Sequence, residues 1–151
     1  MNNFIIDQCQ ILFGFENMDF VSVTEMLAQS FWSPGIEIEE VKKGAENSSL
    51  LTGAFYNNTQ IGYGRTISDK TRFAYILDVY VHEHYRKRGI GQLIINSMLQ
   101  HDEMKSVYQW FLVTKDAHGM YAKCGFVPLS EFLDPGLFMT IGKIRPGAEK
   151  L

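Results

Sequence analysis

The chain predicts a mixed α/β fold of the α+β kind, built on one sheet with flanking helices. Three observations point there. Hairpin strands come first and strand–helix–strand units follow, an order that gives a mixed sheet rather than a purely parallel one. The segment Arg72 to His82 is largely apolar on both faces, as a central, doubly covered strand would be. A glycine-rich turn then leads directly into an amphipathic helix.

Taken in order, Gln10 to Phe15 is the expected first strand, followed by the turn Glu16-Asn17. Asp19 can cap a helix whose Phe20, Val23, Leu27 and Phe31 share a face, and Ser33-Pro34-Gly35 stops it. Ile36 to Lys43 reads as a second short helix with Gly44 beyond its end. Leu50 to Tyr56 and Gln60 to Ile67 form a hairpin through Asn57-Asn58, which tolerate positive φ. In the strand Arg72 to His82, simple alternation puts Phe73, Tyr75, Leu77, Val79 and Val81 on one face. Ala74, Ile76, Asp78, Tyr80 and His82 fall on the other. Gly89 to His101 is the next helix, burying Ile90, Leu93, Ile94 and Met98. Gln109 to Thr114 reads as a strand and Ala117 to Lys123 as a helix. Gly125-Phe126-Val127 begins a further strand ended by Pro128, and Leu137 to Ile141 closes the sheet.

With 151 residues, the chain has the length of one ordinary domain, and residues 1–151 are read as one. No repeat or linker interrupts it. An apolar fraction of 46% and a charged fraction of 21% are those of a globular protein in water. A net charge of −3 argues against a nucleic-acid partner, because no basic face dominates. No stretch approaches a transmembrane span, and MNNFIIDQ lacks a basic leader, so a cytoplasmic protein without a membrane partner is expected. Cys9 and Cys124 are too few for a disulfide framework.

The most informative segment is Ala74 to Met98. After its strand comes Arg86-Lys87-Arg88-Gly89-Ile90-Gly91, where the helix begins. Backbone N–H groups there lack intrahelical partners, the helix dipole adds partial positive charge, and three cations add full charge. That combination suits the pyrophosphate of a nucleotide cofactor. The motif does not stand alone. Asp78-Val79-Tyr80-Val81 precedes it, and Ala117 and then Tyr121-Ala122-Lys123-Cys124-Gly125-Phe126 follow about one strand and helix later.

Together these motifs resemble the GCN5-related N-acetyltransferase (GNAT) superfamily, strongly over roughly residues 50 to 128 and more loosely before. The resemblance implies a mostly antiparallel sheet with a splayed central pair of parallel strands, opened into a V-shaped cleft. It implies acetyl-CoA as cosubstrate and no metal. The pantetheine arm would lie along Val79, Tyr80 and Val81. The pyrophosphate would rest on the turn Arg86, Lys87, Arg88, Gly89, Ile90, Gly91 and Gln92, with Thr114 and Ala117 completing the cofactor site. Many members carry Asn where this chain has Thr114, whose hydroxyl can still donate and accept.

Acetyl transfer to an amine requires a neutral amine, a stabilised oxyanion and a supported leaving thiolate. By resemblance, Tyr121 supports the thiolate, with partial anionic character favoured by a position near a helix start. A backbone N–H near Val79 to Val81 would meet the oxyanion. Asp78, a carboxylate on an otherwise apolar strand, is the first candidate base. The alternative is a structural carboxylate paired with Arg65 or Arg72. His118 is the second candidate, one helical turn before Tyr121. Lys123 can reach a phosphate or remain solvated.

Trp32 and Tyr56, with Phe31 and Tyr80, are the candidate walls of an acceptor pocket, although Trp32 can equally pin its loop to the core. His82-Glu83-His84 has no third ligand in view, so no metal is assigned. The expected activity is direct acetyl transfer to a primary amine of a small molecule or peptide. Rival readings are a ping-pong route through Cys124 and a non-catalytic acyl-CoA-binding or sensing module. Dimerisation is common among similar proteins, and no feature of the chain decides whether it forms a homodimer.

Overall fold

The structure, a computed structural model, describes residues 4–150; residues 1–3 of the segment read for a leader, and residue 151, lie outside it. Five strands form one sheet in the order β1-β2-β3-β4-β5. They are β1 (Gln10–Phe13), β2 (Leu50–Tyr56), β3 (Thr59–Ser68), β4 (Ala74–Val81) and β5 (Trp110–Phe111). All pairings are antiparallel except the last, β4 with β5. Helices α1 (Phe20–Ala28) and α2 (Ile38–Glu46) pack on one face; α3 (Ile90–Leu99) and α4 (His118–Lys123) pack on the other. The mixed, mostly antiparallel architecture is the expected one.

Local chemistry explains where elements begin. Asp19 caps α1 by accepting from the amides of Val21 and Ser22. Asn57 and Asn58 carry the β2–β3 hairpin at φ 48° and 60°. Several boundaries differ from the sequence reading. The first strand stops at Phe13 because Phe15–Asn17 winds into a 3-10 turn. Phe31 lies past the end of α1, which stops at Ala28. The second helix runs to Glu46 with Gly44 inside it, where the Arg65 guanidinium passes 3.5 Å from the position a Cβ would take. The central strand starts at Ala74, since Asp69 Oδ1 accepts from the amides of Thr71, Arg72 and Phe73 and holds them in a turn.

The face of α3 that meets the sheet is Ile90, Ile94, Ile95 and Met98, so Ile95 takes the buried place expected of Leu93. This helix sits directly on two glycines of β3. A methyl on Gly62 would come within 2.8 Å of Ile94 Cδ1, and one on Gly64 within 2.6 Å of Met98 Cε and 3.3 Å of Val79 Cγ2. The glycines let a helix of branched side chains approach the strand closely.

Past β5 the expected strands do not form. Gly125 and Phe126 terminate α4, and a short α5 (Leu129–Phe132) follows. Residues 137–141 form no strand, although Phe138 packs on Phe111 of β5 with ring centroids 5.7 Å apart. Met139 and Ile141 are left 95% and 102% exposed. The described residues contain no helix long and apolar enough to cross a membrane.

Replacing Gly64 with Ala forces Met98, Ile94 and Val79 apart in a core without slack. The expected loss is about 1–3 kcal/mol, or a Tm lower by roughly 3–10 °C, read by thermal unfolding. An unchanged Tm would show that Met98 moves aside freely and that the close approach is not needed.

Candidate active site

The turn between β4 and α3 gathers three cations at a helix start that no side chain caps. His82 Nδ1 accepts from the His84 amide and opens a single 3-10 turn, Glu83–Tyr85. Lys87 at φ 61° and Gly89 at φ 84° then swing the chain into α3. Gly89 is the N-cap; no side chain caps the helix and no acidic residue lies in its first turn. The Leu93 amide bonds to Gly89 O at 3.0 Å. Helix geometry leaves the amides of Ile90, Gly91 and Gln92 without intrahelical partners, at the positive end of the dipole. Arg86, Lys87 and Arg88 are exposed around them.

Two of those cations have defined seats. Arg86 Nε donates to Val81 O at 2.9 Å, and its guanidinium lies 4.9 Å over the Tyr80 ring. Arg88 stacks over Phe4 and Tyr85, at 5.2 and 6.0 Å. Gly91 has a packing reason as well: Met120 Cε lies 3.3 Å from where its Cβ would be, so α4 presses against the first turn of α3.

Beside this turn the sheet opens. β4 pairs with β5 only at Ala74–Trp110 and Tyr75–Phe111; β5 then ends while β4 runs on to Val81. The far edge of 76–81 therefore faces a gap rather than a strand, as the expected splay requires. Within that stretch β4 bulges. Leu77 pairs with Arg65 and Tyr80 with Tyr63, so Asp78 and Val79 together oppose Gly64. Asp78 takes φ +56°.

The bulge corrects the alternation read from sequence. Ala74 and Ile76 point to the α3 face before it, and Val79 and Val81 point to the same face after it. Tyr80 turns to the α1 face, where it meets Trp32 with ring centroids 6.3 Å apart.

Asp78 is paired with Arg65, not with Arg72. Its Oδ2 accepts from Arg65 Nε at 2.7 Å and its Oδ1 from Trp32 Nε1 at 3.0 Å. The two side chains of the ion pair are only 14% and 19% exposed. Arg65 Nη1 also donates to Ser48 Oγ, whose own hydroxyl donates to Gly44 O in α2. Arg65 and Trp32 are the residues sequence reasoning undervalued. Their meeting joins β3, β4 and the loop after α1, and no local pattern announces it. Tyr63, fully buried on the same face, feels the Asp78 charge; desolvation and that charge push its phenol up.

On the opposite face, Tyr121 is presented by α4. Thr114 Oγ1 accepts from the Ala117 amide at 3.0 Å and opens the helix, so this hydroxyl has a structural task. At the other end Gly125, at φ 96°, and Phe126 close it. Gly125 N–H bonds to Ala122 O and Phe126 N–H to Tyr121 O, the double bond pattern of a Schellman cap. Phe126 packs on Tyr121 with ring centroids 5.9 Å apart. The spacing Tyr121-x-x-x-Gly125-Phe126 is thus a helix stop that also orients the tyrosine. Burial pushes the Tyr121 phenol up to about 12, helped by Cys124 and Asp116. Burial disfavours the charged form, so this shift runs against the anionic character expected of Tyr121.

Of the expected pocket walls, Trp32, Phe31 and Tyr80 gather on the α1 face. Tyr56 does not join them. Strand alternation carries it with Leu50 and Ala54 to the α3 face, against Phe4 and Tyr85. The C-terminal residues cross the loop after α1: Glu149 N–H bonds to Phe31 O, Glu149 pairs with Lys115, and Arg145 pairs with Glu40. His118 is exposed at the first position of α4, and Lys123 is exposed in its last turn. Burial raises the Cys124 thiol, the opposite of activation. Among the described residues no three His, Cys, Asp or Glu side chains gather to hold a metal.

Comparison with known proteins agrees with this geometry. A family model described as an acetyltransferase (GNAT) domain matches residues 47–128, and the chain belongs to that family. A GNAT-family protein from Xanthomonas campestris pv. campestris is 29% identical, with a TM-score of 0.75 over 87% of this chain and 97% of its own. A GNAT-family acetyltransferase from Streptococcus pneumoniae is 21% identical (TM-score 0.69, covering 89% of this chain and 99% of its own). A predicted acetyltransferase from Clostridium acetobutylicum, solved with acetyl-CoA, is 16% identical (TM-score 0.65, covering 89% and 96%). Comparison with curated proteins found no match.

The shifted phenol makes the fold sensitive to alkali. In the folded state Tyr121 keeps its proton to about 12, against 10 for an ordinary phenol. Its contribution is complete below pH 10 and is lost as pH rises through 12, about 2–3 kcal/mol in all. Urea unfolding of wild type and Tyr121→Phe at stepped pH reads this directly. The variant should lose stability less steeply between pH 10 and 12; parallel curves would mean that the phenol is solvated.

Proposed function

We propose that the protein is an acetyl-CoA-dependent N-acetyltransferase that passes the acetyl group directly to a primary amine of a small molecule or peptide. The observation that carries this reading is the gap beside 76–81. It has an uncapped helix start and Tyr121 on one face, and Asp78 with its aromatic neighbours on the other. A cosubstrate held at the turn by its pyrophosphate can extend its pantetheine arm along the free edge of Val79 to Val81. Its thioester then lies in the gap, open to an amine arriving from the Trp32 side.

In the reaction the amine nitrogen bonds to the thioester carbon and the carbon–sulfur bond breaks. A backbone N–H of the bulge supports the oxyanion. Asp78 receives the amine's proton, directly or through water, and releases it to solvent. Tyr121 stays protonated, so its O–H is a hydrogen-bond donor to the departing sulfur. Full transfer of that proton from a phenol near 12 runs uphill, and the thiolate takes its proton from solvent. Val79, Tyr80, Val81, Arg86 to Gln92, Thr114 and Ala117 make up the cofactor side, with Trp32 on the acceptor side.

Thiol release from acetyl-CoA across a panel of primary amines tests the reading. Turnover with at least one amine is expected. Tyr121→Phe and Asp78→Asn should each lower kcat by about 10²-fold with little change in KM for acetyl-CoA. Tight acetyl-CoA binding without turnover on any amine would favour a sensing module, and an acetylated Cys124 would favour the ping-pong route.

A further inference from the structure

Asp78 lies in a backbone conformation that side-chain-bearing residues avoid, at the edge of the gap, and something must hold it there. A residue in this region persists only where its surroundings over-determine it. The contacts that do so come from three directions. Arg65 on β3 holds Oδ2 at 2.7 Å, and Trp32 from the loop after α1 holds Oδ1 at 3.0 Å. Arg65 is itself seated by Ser48 at 3.3 Å and by the bare backbone of Gly44, both at the C-terminal end of α2. The chain of contacts runs from Gly44 through Ser48 and Arg65 to Asp78 and Trp32.

Its position separates it from an ordinary surface ion pair. Arg65 pairs in register with Leu77, the last regular residue before the bulge, and its side chain reaches forward to the bulged residue itself. The same guanidinium therefore bridges the regular and irregular parts of the two strands. On the far face Gly64 leaves the space into which Val79 turns. Released from Arg65, the strand has a regular alternative: one residue of slip removes the bulge and exchanges the faces of Val79, Tyr80 and Val81.

We propose that Arg65 is a positioning residue for acetyl transfer. Acting through Asp78, it locks the β4 bulge so that the Asp78 carboxylate keeps facing the incoming amine and the backbone amide of Val79 keeps facing the thioester oxygen. Trp32 is the second clasp on the same carboxylate. The proposal rests on the transfer reaction proposed above for its kinetic arm, and on the bulge alone for its structural arm.

The test compares Arg65→Met, which keeps bulk without charge, with Arg65→Lys, which keeps charge without the guanidinium fork. Trp32→Phe removes only the indole donor. With acetyl-CoA and any amine the wild type accepts, Arg65→Met is expected to lose about 10²-fold in kcat while KM for acetyl-CoA changes less than about threefold. Arg65→Lys should regain part of that loss, and Trp32→Phe should lose less than Arg65→Met. In parallel, backbone amide NMR of each folded variant reads the bulge without turnover. Arg65→Met should shift the Gly64, Asp78 and Val79 amides and weaken the Tyr63–Tyr80 cross-strand contacts. If Arg65→Met does not fold, Arg65→Lys and Trp32→Phe carry both arms. Unchanged bulge amides, or a rise in KM for acetyl-CoA with kcat intact, overturn the proposal. A wild type that acetylates no amine refutes the transferase reading instead, and the amide shifts still decide the role of Arg65.

Discussion

The Arg65–Asp78 ion pair sits where β4 leaves regular pleating, and most of the site depends on what happens at that residue. The bulge opposes Asp78 and Val79 to Gly64 and reverses which face each later residue of the strand occupies. Because of it, Val79 and Val81 pack beneath α3 while Tyr80 meets Trp32 on the other side. The pair is largely buried, so removing one partner would strand a charge in a poorly solvated place, a loss typically of about 3–5 kcal/mol. Such a pair is weak evidence for net stability. Its effect is to choose one register of a strand over another.

A second constraint is how closely helices approach the sheet. Gly62 and Gly64 admit α3 onto β3, and Gly91 admits Met120 of α4 onto α3. These contacts seat α3 along its length, from Ile90 and Ile94 over Gly62 to Met98 over Gly64. They also bring α4 in, with Tyr121 buried on its inner side and held by Phe126 through the Schellman cap. Glycine at these positions is therefore a packing device.

Much of this was legible in the chain. Asp19, Asn57-Asn58 and Gly89 announced a cap, a hairpin and a helix start through local chemistry that acts over three or four residues. The strand from Arg72, read two residues early, was recognised by its two apolar faces. What failed did so for equally physical reasons. Gly125-Phe126-Val127 has strand-like composition, but a glycine two residues past a helix end forms a cap before it can pair. Residues 137–141 touch β5 through Phe138 and Phe111 but make no ladder with it, and strand propensity without a ladder is not a strand. Tyr56 obeys alternation, yet which face is the acceptor side depends on helices distant in sequence.

Amino-acid order by itself determined the elements that local bonding and periodicity govern, and the glycine-bearing turn that opens α3. It also carried the family resemblance, since motifs at fixed spacing survive in the chain. Tertiary structure alone decided the pairing of Arg65 and Trp32 with Asp78, the reversal of faces at the bulge and the burial that pushes the Tyr121 phenol up. Each of these is a balance between residues far apart in sequence: two strands and a loop meet at one carboxylate, and burial among core residues acts on one phenol. Periodicity cannot express such a balance, because its outcome depends on distances that only the folded chain sets.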